Sequence, residues 1–295
     1  MQTKRSFRWW TMGAMLLLAT LSTQIHAAEV QKITVDGCAL AWLSEGEGSP
    51  TVVIEAGGGE GPTKTGSWNS IIAAVAKKTR VITYDRAGVG ASGALGTNSF
   101  RTSRDIARDL HGLLAATKVK GPYIVVGHSL GGMHARVFAS EYPNEIAGMV
   151  LVDASHPDQD EAWLATLPAP TAAEPQSVTR AREFLKARRA NRRHGVEMVD
   201  FAASAAQVRA ARSLGDKPLI VLTHSPKWKM VPDLPDEVLA KIENESQRLQ
   251  ATLPQLSTNS RHIIASKAGH AIHEDEPQLV IDAILGVVDQ VRKAR

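Results

Sequence analysis

Short runs rich in β-branched residues alternate with amphipathic stretches along most of this chain, and no other feature restricts its fold as tightly. Residues 51–55, 80–84, 123–126 and 149–152 read as strands, and residues 68–77, 103–117 and 131–141 between them as helices. Parallel neighbours cannot be joined by a tight turn. They need a crossover, and a helix is its usual form, so the alternation predicts a mostly parallel sheet with helices on both faces. The strands are largely apolar with no polar face, as expected of strands covered on both sides. Ahead of them, residues 30–35 and 38–43 flank the turn pair Asp36-Gly37 and predict an opening hairpin. The fold class is α/β.

The pattern changes at residue 156. From there to 216 the chain is rich in Pro, Ala and Arg, with helical stretches and no convincing strand, and reads as an inserted helical lid. Arg182, Lys186, Arg189 and Arg193 recur in it at helical spacing and are expected on a solvated face. A strand at 218–223, a helix at 235–253, a strand at 261–266 and a closing helix at 277–291 follow. Leu279, Val280, Ile284 and Val287 fall on one face of that last helix. The expected organisation is therefore a leader over 1–28, a first part of the core over 29–155, the lid over 156–216 and the rest of the core over 217–295.

Lys4, Arg5 and Arg8 precede an apolar run over 11–21 and the small residues Ala27 and Ala28, the order of a cleaved secretory signal. The run is about half the roughly 20 residues a spanning helix needs, so no lasting membrane anchor is expected. An exported protein, periplasmic or secreted from a bacterium, follows from this reading. Removing 1–28 takes three basic residues and no acidic ones from totals of 34 and 30, which leaves 31 and 30. A nearly neutral chain gives no reason to expect nucleic acid or an anionic membrane as partner. Cys38 is the one cysteine, so no internal disulfide can form, and it is expected to be a small buried residue.

The chemistry centres on Gly127-His128-Ser129-Leu130-Gly131, at the junction of a strand and a helix. A serine turned sharply out of a strand needs small neighbours, which Gly127, Gly131 and Gly132 supply, and the following helix aims its partially positive end at a developing oxyanion. A hydroxyl attacks only when a base takes its proton. Of ten histidines, His270 follows Gly269 just beyond the last strand and can return to the same sheet edge, with His273 as its competitor. His128 lies inside the elbow and is expected to shape it. The base in turn needs an acid. Asp153 ends the strand over 149–152, and the order Ser129, Asp153, His270 agrees with the order of this triad class.

With these residues in view, the chain resembles the α/β-hydrolase superfamily, in particular its bacterial esterase- and lipase-like members, over nearly all of its length after the leader. Besides the elbow, Asp85-Arg86-Ala87-Gly88-Val89-Gly90-Ala91-Ser92 resembles the family's Asp-Arg-x-Gly-x-Gly-x-Ser turn, and Gly269-His270 is followed by Glu276-Pro277 and a closing helix. The chain departs from the family at one place. Many members carry the acid after the penultimate strand, which here ends Thr223-His224-Ser225-Pro226 with no carboxylate before Asp233. The resemblance then implies the variant with the acid one strand earlier, at Asp153, and Asp233 and Asp236 stay as fallbacks. It also implies an oxyanion hole from the N-H groups of Leu130 and Gly58.

The implied function is hydrolysis of a small carboxylic ester through an acyl-enzyme, with a small-molecule ester as partner, no cofactor and no metal. A proline-type aminopeptidase or amidase is the enzymatic alternative, and a non-catalytic binding protein the other. Dehalogenases and epoxide hydrolases of the superfamily use an aspartate nucleophile, where this elbow presents serine. Residues 58–65 nearly match a phosphate-binding loop. However, Thr63 stands where a glycine should precede Lys64, and Pro62 lacks an N-H.

Overall fold

A computed structural model describes residues 29–95, 100–190, 196–229, 231 and 233–294. The expected signal segment, residues 1–28, and Arg193 of the expected lid lie outside the described residues. In chain order the elements are β1 (Gln31–Val35), β2 (Cys38–Glu45), β3 (Thr51–Glu55), α1 (Pro62–Thr65), α2 (Asn69–Ala76) and β4 (Val81–Tyr84). Next come α3 (Ser103–Ala116), β5 (Tyr123–His128), α4 (Leu130–Glu141) and β6 (Ile146–Val152). Then follow α5 (Gln159–Thr166), α6 (Gln176–Arg189), α7 (Phe201–Arg209), β7 (Leu219–Thr223), α8 (Asp236–Gln250), β8 (Ser260–Ile264), α9 (Ile272–Asp275) and α10 (Pro277–Lys293).

The eight strands form one sheet in the order β1-β2-β4-β3-β5-β6-β7-β8. The β1-β2 and β2-β4 pairings are antiparallel and all the others parallel. Side chains alternate across each strand, and the two faces feed two cores. Val53, Val125, Leu151 and Val221 pack on one face with Leu110, Leu113 and Phe138 of α3 and α4. Val52, Val126, Val150 and Leu222 pack on the other with Ile72 of α2 and Ile284 and Val287 of α10. Burial on both faces is why these strands read as largely apolar runs rather than as alternating ones.

Between β6 and β7 the described residues form helices and no strand. A third apolar cluster joins Leu167, Val178 and Leu185 of this segment to Leu234, Val238 and Ile242 at α8. Lys186 and Arg189 are exposed, as a solvated face requires. Arg182 is not. It follows Val178 by one helical turn and is buried with it, giving its guanidinium to the Pro168 carbonyl at 2.6 Å and to Glu174 at 2.9 Å. Helix α8 stops at Gln250, and the expected continuation is a 3₁₀ turn over Leu253–Leu256, because Pro254 cannot supply a helical N-H. The four-residue α1 and α9 were too short to leave a periodic signal.

Candidate active site

Strand β5 delivers Ser129 at its carboxyl end, and the chain turns at once into α4. Ser129 has φ 51° and ψ −124°, a conformation a non-glycine residue keeps only where its surroundings enforce it. They do so here. The Ser129 N-H donates to the Val152 carbonyl at 3.2 Å, and its own carbonyl accepts from Ser155 N-H at 2.8 Å. The neighbouring glycines are required by contact: a Cβ on Gly131 would stand 2.2 Å from the Glu55 carbonyl oxygen, and one on Gly132 2.3 Å from the Ala154 Cβ.

The loop after β8 brings His270 to this turn. Its Nε2 lies 2.8 Å from Ser129 Oγ, and its Nδ1 lies 2.5 Å from Asp153 Oδ2. Asp153 leaves β6 with φ 42° and is buried, so three groups from β5, β6 and the β8 loop meet at one sheet edge. The other candidates do not join them. His273 is buried with its ring stacked on Trp68 at 4.4 Å and its Nε2 3.5 Å from Glu60. Asp236 is exposed and paired with Lys229 at 2.8 Å, and Asp233 lines a separate apolar cavity with Trp163 and Phe184.

The second oxygen of Asp153 is also occupied. Oδ1 accepts from His224 Nδ1 at 2.7 Å and from the His224 backbone N-H at 3.2 Å, and His224 Nε2 lies 3.0 Å from Glu243 Oε1 on α8. Burial works against charge on His224, but the hydrogen bonds and charges of Asp153 and Glu243 outweigh it and push its pKa up to about 9. Burial likewise opposes ionisation of Asp153. The bonds from His224 and His270 overcome it and hold the carboxyl well below the usual carboxylate range.

The glycine run after β3 is held from below by Arg86. Its guanidinium reaches the carbonyls of Ala56 at 2.7 Å and Gly57 at 2.5 Å, together with Glu55 at 2.9 Å and Glu197 at 2.6 Å. Gly57 N-H donates to Glu60 Oε2 at 2.9 Å, and Gly59 N-H to Glu197 Oε1 at 2.5 Å. Gly58 N-H, between them, has no protein acceptor among the described residues, and the glycine abuts the Leu130 side chain. Leu130 opens α4, where N-H groups lack intrahelical partners. Thr63, in the stretch that resembles a phosphate loop, gives both its N-H and its hydroxyl to Asp85.

Three side chains that the sequence did not join gather beneath the elbow: Glu60, His128 and His273 bring ligand-type atoms within 4.8 Å of one another. Burial pushes the His128 pKa down, and its Nε2 meets the His270 carbonyl at 3.1 Å. Cys38 is half-buried, with its thiol 3.5 Å from the Gly93 carbonyl. Above Ser129 lies a cavity of about 170 Å³ lined by His156, Trp163, Arg188, Trp228 and the triad groups. It sits between the sheet edge, which supplies Ser129 and Asp153, and the helical segment, which supplies Trp163 and Arg188.

Comparison with known proteins agrees with this architecture. Residues 50–194 match the family model described as alpha/beta hydrolase fold. The Bacillus subtilis (strain 168) protein YqjL is 31% identical over 86% of this chain and 90% of its own length. A haloalkane dehalogenase loop variant from Bradyrhizobium elkanii superposes with a TM-score of 0.66 at 16% identity, over 91% of this chain and 98% of that one. A thermophilic esterase from Thermogutta terrifontis gives 0.56 at 20% identity, over 90% and 99%. At such identities the two structures speak for the fold alone.

Proposed function

The chain belongs to the alpha/beta hydrolase fold family, and from that premise we propose that it is a serine hydrolase cleaving a small carboxylic ester through an acyl-enzyme. The observation that carries the proposal is the unbroken contact from Ser129 Oγ through both nitrogens of His270 to Asp153. A serine hydroxyl becomes an effective nucleophile at neutral pH when a base within reach takes its proton.

In the proposed reaction His270 Nε2 takes the Ser129 proton as Oγ attacks the ester carbonyl. Asp153 holds the ring in the tautomer that leaves Nε2 free and stabilises the imidazolium that forms. The N-H groups of Leu130 and Gly58 receive the developing oxyanion, and Gly58 suits this because its two neighbours' N-H groups are already committed. His270 returns the proton to the leaving alkoxide. Water, activated by the same ring, then releases the acid. A substrate with a short acyl group suits the modest cavity between Trp163 and Trp228. The order of charged, apolar and small residues over 1–28 supports export, so the proposed activity would act outside the cytoplasm.

Turnover of p-nitrophenyl acetate beside an aminoacyl p-nitroanilide tests the substrate class. We expect the ester to be cleaved and the anilide left intact. Faster cleavage of the anilide would replace the ester reading with a peptidase.

A further inference from the structure

Where many relatives by resemblance place the triad acid, at the end of the penultimate strand, this chain has His224. Its side chain points back at the acid that stands one strand earlier. Nδ1 lies 2.7 Å from Asp153 Oδ1, Nε2 lies 3.0 and 3.1 Å from the two oxygens of Glu243, and the ring is almost wholly buried. A carboxylate only accepts hydrogen bonds, so a ring held between two of them must donate from both nitrogens and carry both protons. Glu243 is fixed in turn by Gln247, whose Nε2 donates to Glu243 Oε1 at 2.8 Å and to the His224 carbonyl at 3.1 Å. Trp228 meets the ring edge-on, with centroids 5.1 Å apart. Among the described residues, the charged groups facing His224 are Asp153 and Glu243.

Resting on the serine hydrolase reading, we propose that His224 is a positioning residue: a resident imidazolium, anchored by Glu243, that fixes the Asp153 carboxylate for His270 and tempers its charge. The far oxygen of Asp153 is bound twice by His224, by ring and by backbone, which leaves Oδ2 to His270 alone. Besides Asp153, His270 faces Ser129, the His128 ring at 5.0 Å and Trp228 at 6.0 Å. The cation behind Asp153 therefore affects how readily His270 holds a proton. Replacing it by a neutral amide leaves the Asp153 charge without its second cationic partner, favours protonated His270, and moves the acidic limb of the rate profile to higher pH.

The test combines NMR of wild type with kinetics of His224→Gln and of His224→Gln/Glu243→Gln, read as the rate of fluorophosphonate labelling against pH. In wild type at pH 7.5, both His224 nitrogens should carry slowly exchanging protons. In His224→Gln, the labelling rate should fall about tenfold through loss of positioning, with the acidic limb raised by about one pH unit. The double variant, which removes one charge of each sign, should bring the limb back toward wild type while the rate stays low. A His224 that is neutral at pH 7.5, or a folded His224→Gln with unchanged rate and limb, would overturn the proposal while the serine hydrolase reading stands. A folded wild type that does not label would overturn that reading and the positioning role with it.

Discussion

Arg86, in the turn after β4, and Glu197, 111 residues later in the segment between β6 and β7, form a buried ion pair with Nε and Oε2 2.6 Å apart. The same two side chains hold the glycine run at Gly57 and Gly59, so the segment between β6 and β7 and the proposed oxyanion loop share one anchor. Removing one partner of a buried pair leaves the other charge without compensation. We expect Glu197→Ala to lower the free energy of unfolding by about 3 kcal/mol in urea titration, and to slow ester turnover beyond any loss of folded protein. Glu197→Gln, which keeps an acceptor for Gly59 N-H, should recover part of both.

The acid can be assigned by comparing positions. Asp153→Asn keeps the volume but removes the charge that fixes the His270 tautomer, and turnover should fall by about 10³-fold or more. Asp236→Asn and Asp233→Asn should stay within about twofold of wild type, because Asp236 is an exposed partner of Lys229 and Asp233 faces another cavity. Steady-state kcat on p-nitrophenyl acetate, with circular dichroism to verify folding, decides between them.

Stability should depend on pH through His224. Its folded pKa of about 9 stands above the roughly 6.5 of a free histidine. The group's contribution is therefore complete below about pH 6.5 and is lost as pH rises through 9. Asp153 is depressed by the same contacts, so that pair is counted once. Between pH 6 and 9.5 wild type should lose about 3 kcal/mol more than His224→Gln. Parallel losses in the two proteins would refute the linkage.

The elbow should tolerate no added methyl. Gly131→Ala places a Cβ against two backbone carbonyls, of Glu55 at the end of β3 and of Ala56 just after it, the second already held by Arg86. We expect a loss of about 3 kcal/mol or more, or no soluble protein. Gly215→Ala, whose Cβ meets nothing within 4 Å but whose φ is 67°, should cost only about 1 kcal/mol.

Local pattern made the scaffold and the three converging residues legible. Alternating apolar runs mark strands whatever they later pair with; Ser129 and Asp153 sit directly after such runs, and His270 lies in the loop that follows another. What stayed hidden depends on pairing between distant side chains. Nothing near Arg182 in sequence announces its burial beside Val178, and neither Arg86 nor Glu197 alone indicates the other. His224 left one trace, by occupying a place where the family resemblance calls for an acid. The convergence of Glu60, His128 and His273 needed β3, β5 and α9 to be set side by side, which periodicity does not do.

The most direct test is intact-mass analysis of purified protein after reaction with a fluorophosphonate. We expect one adduct on wild type and none on a folded Ser129→Ala. A folded wild type without an adduct, or an adduct that persists in Ser129→Ala, would contradict Ser129 as the nucleophile.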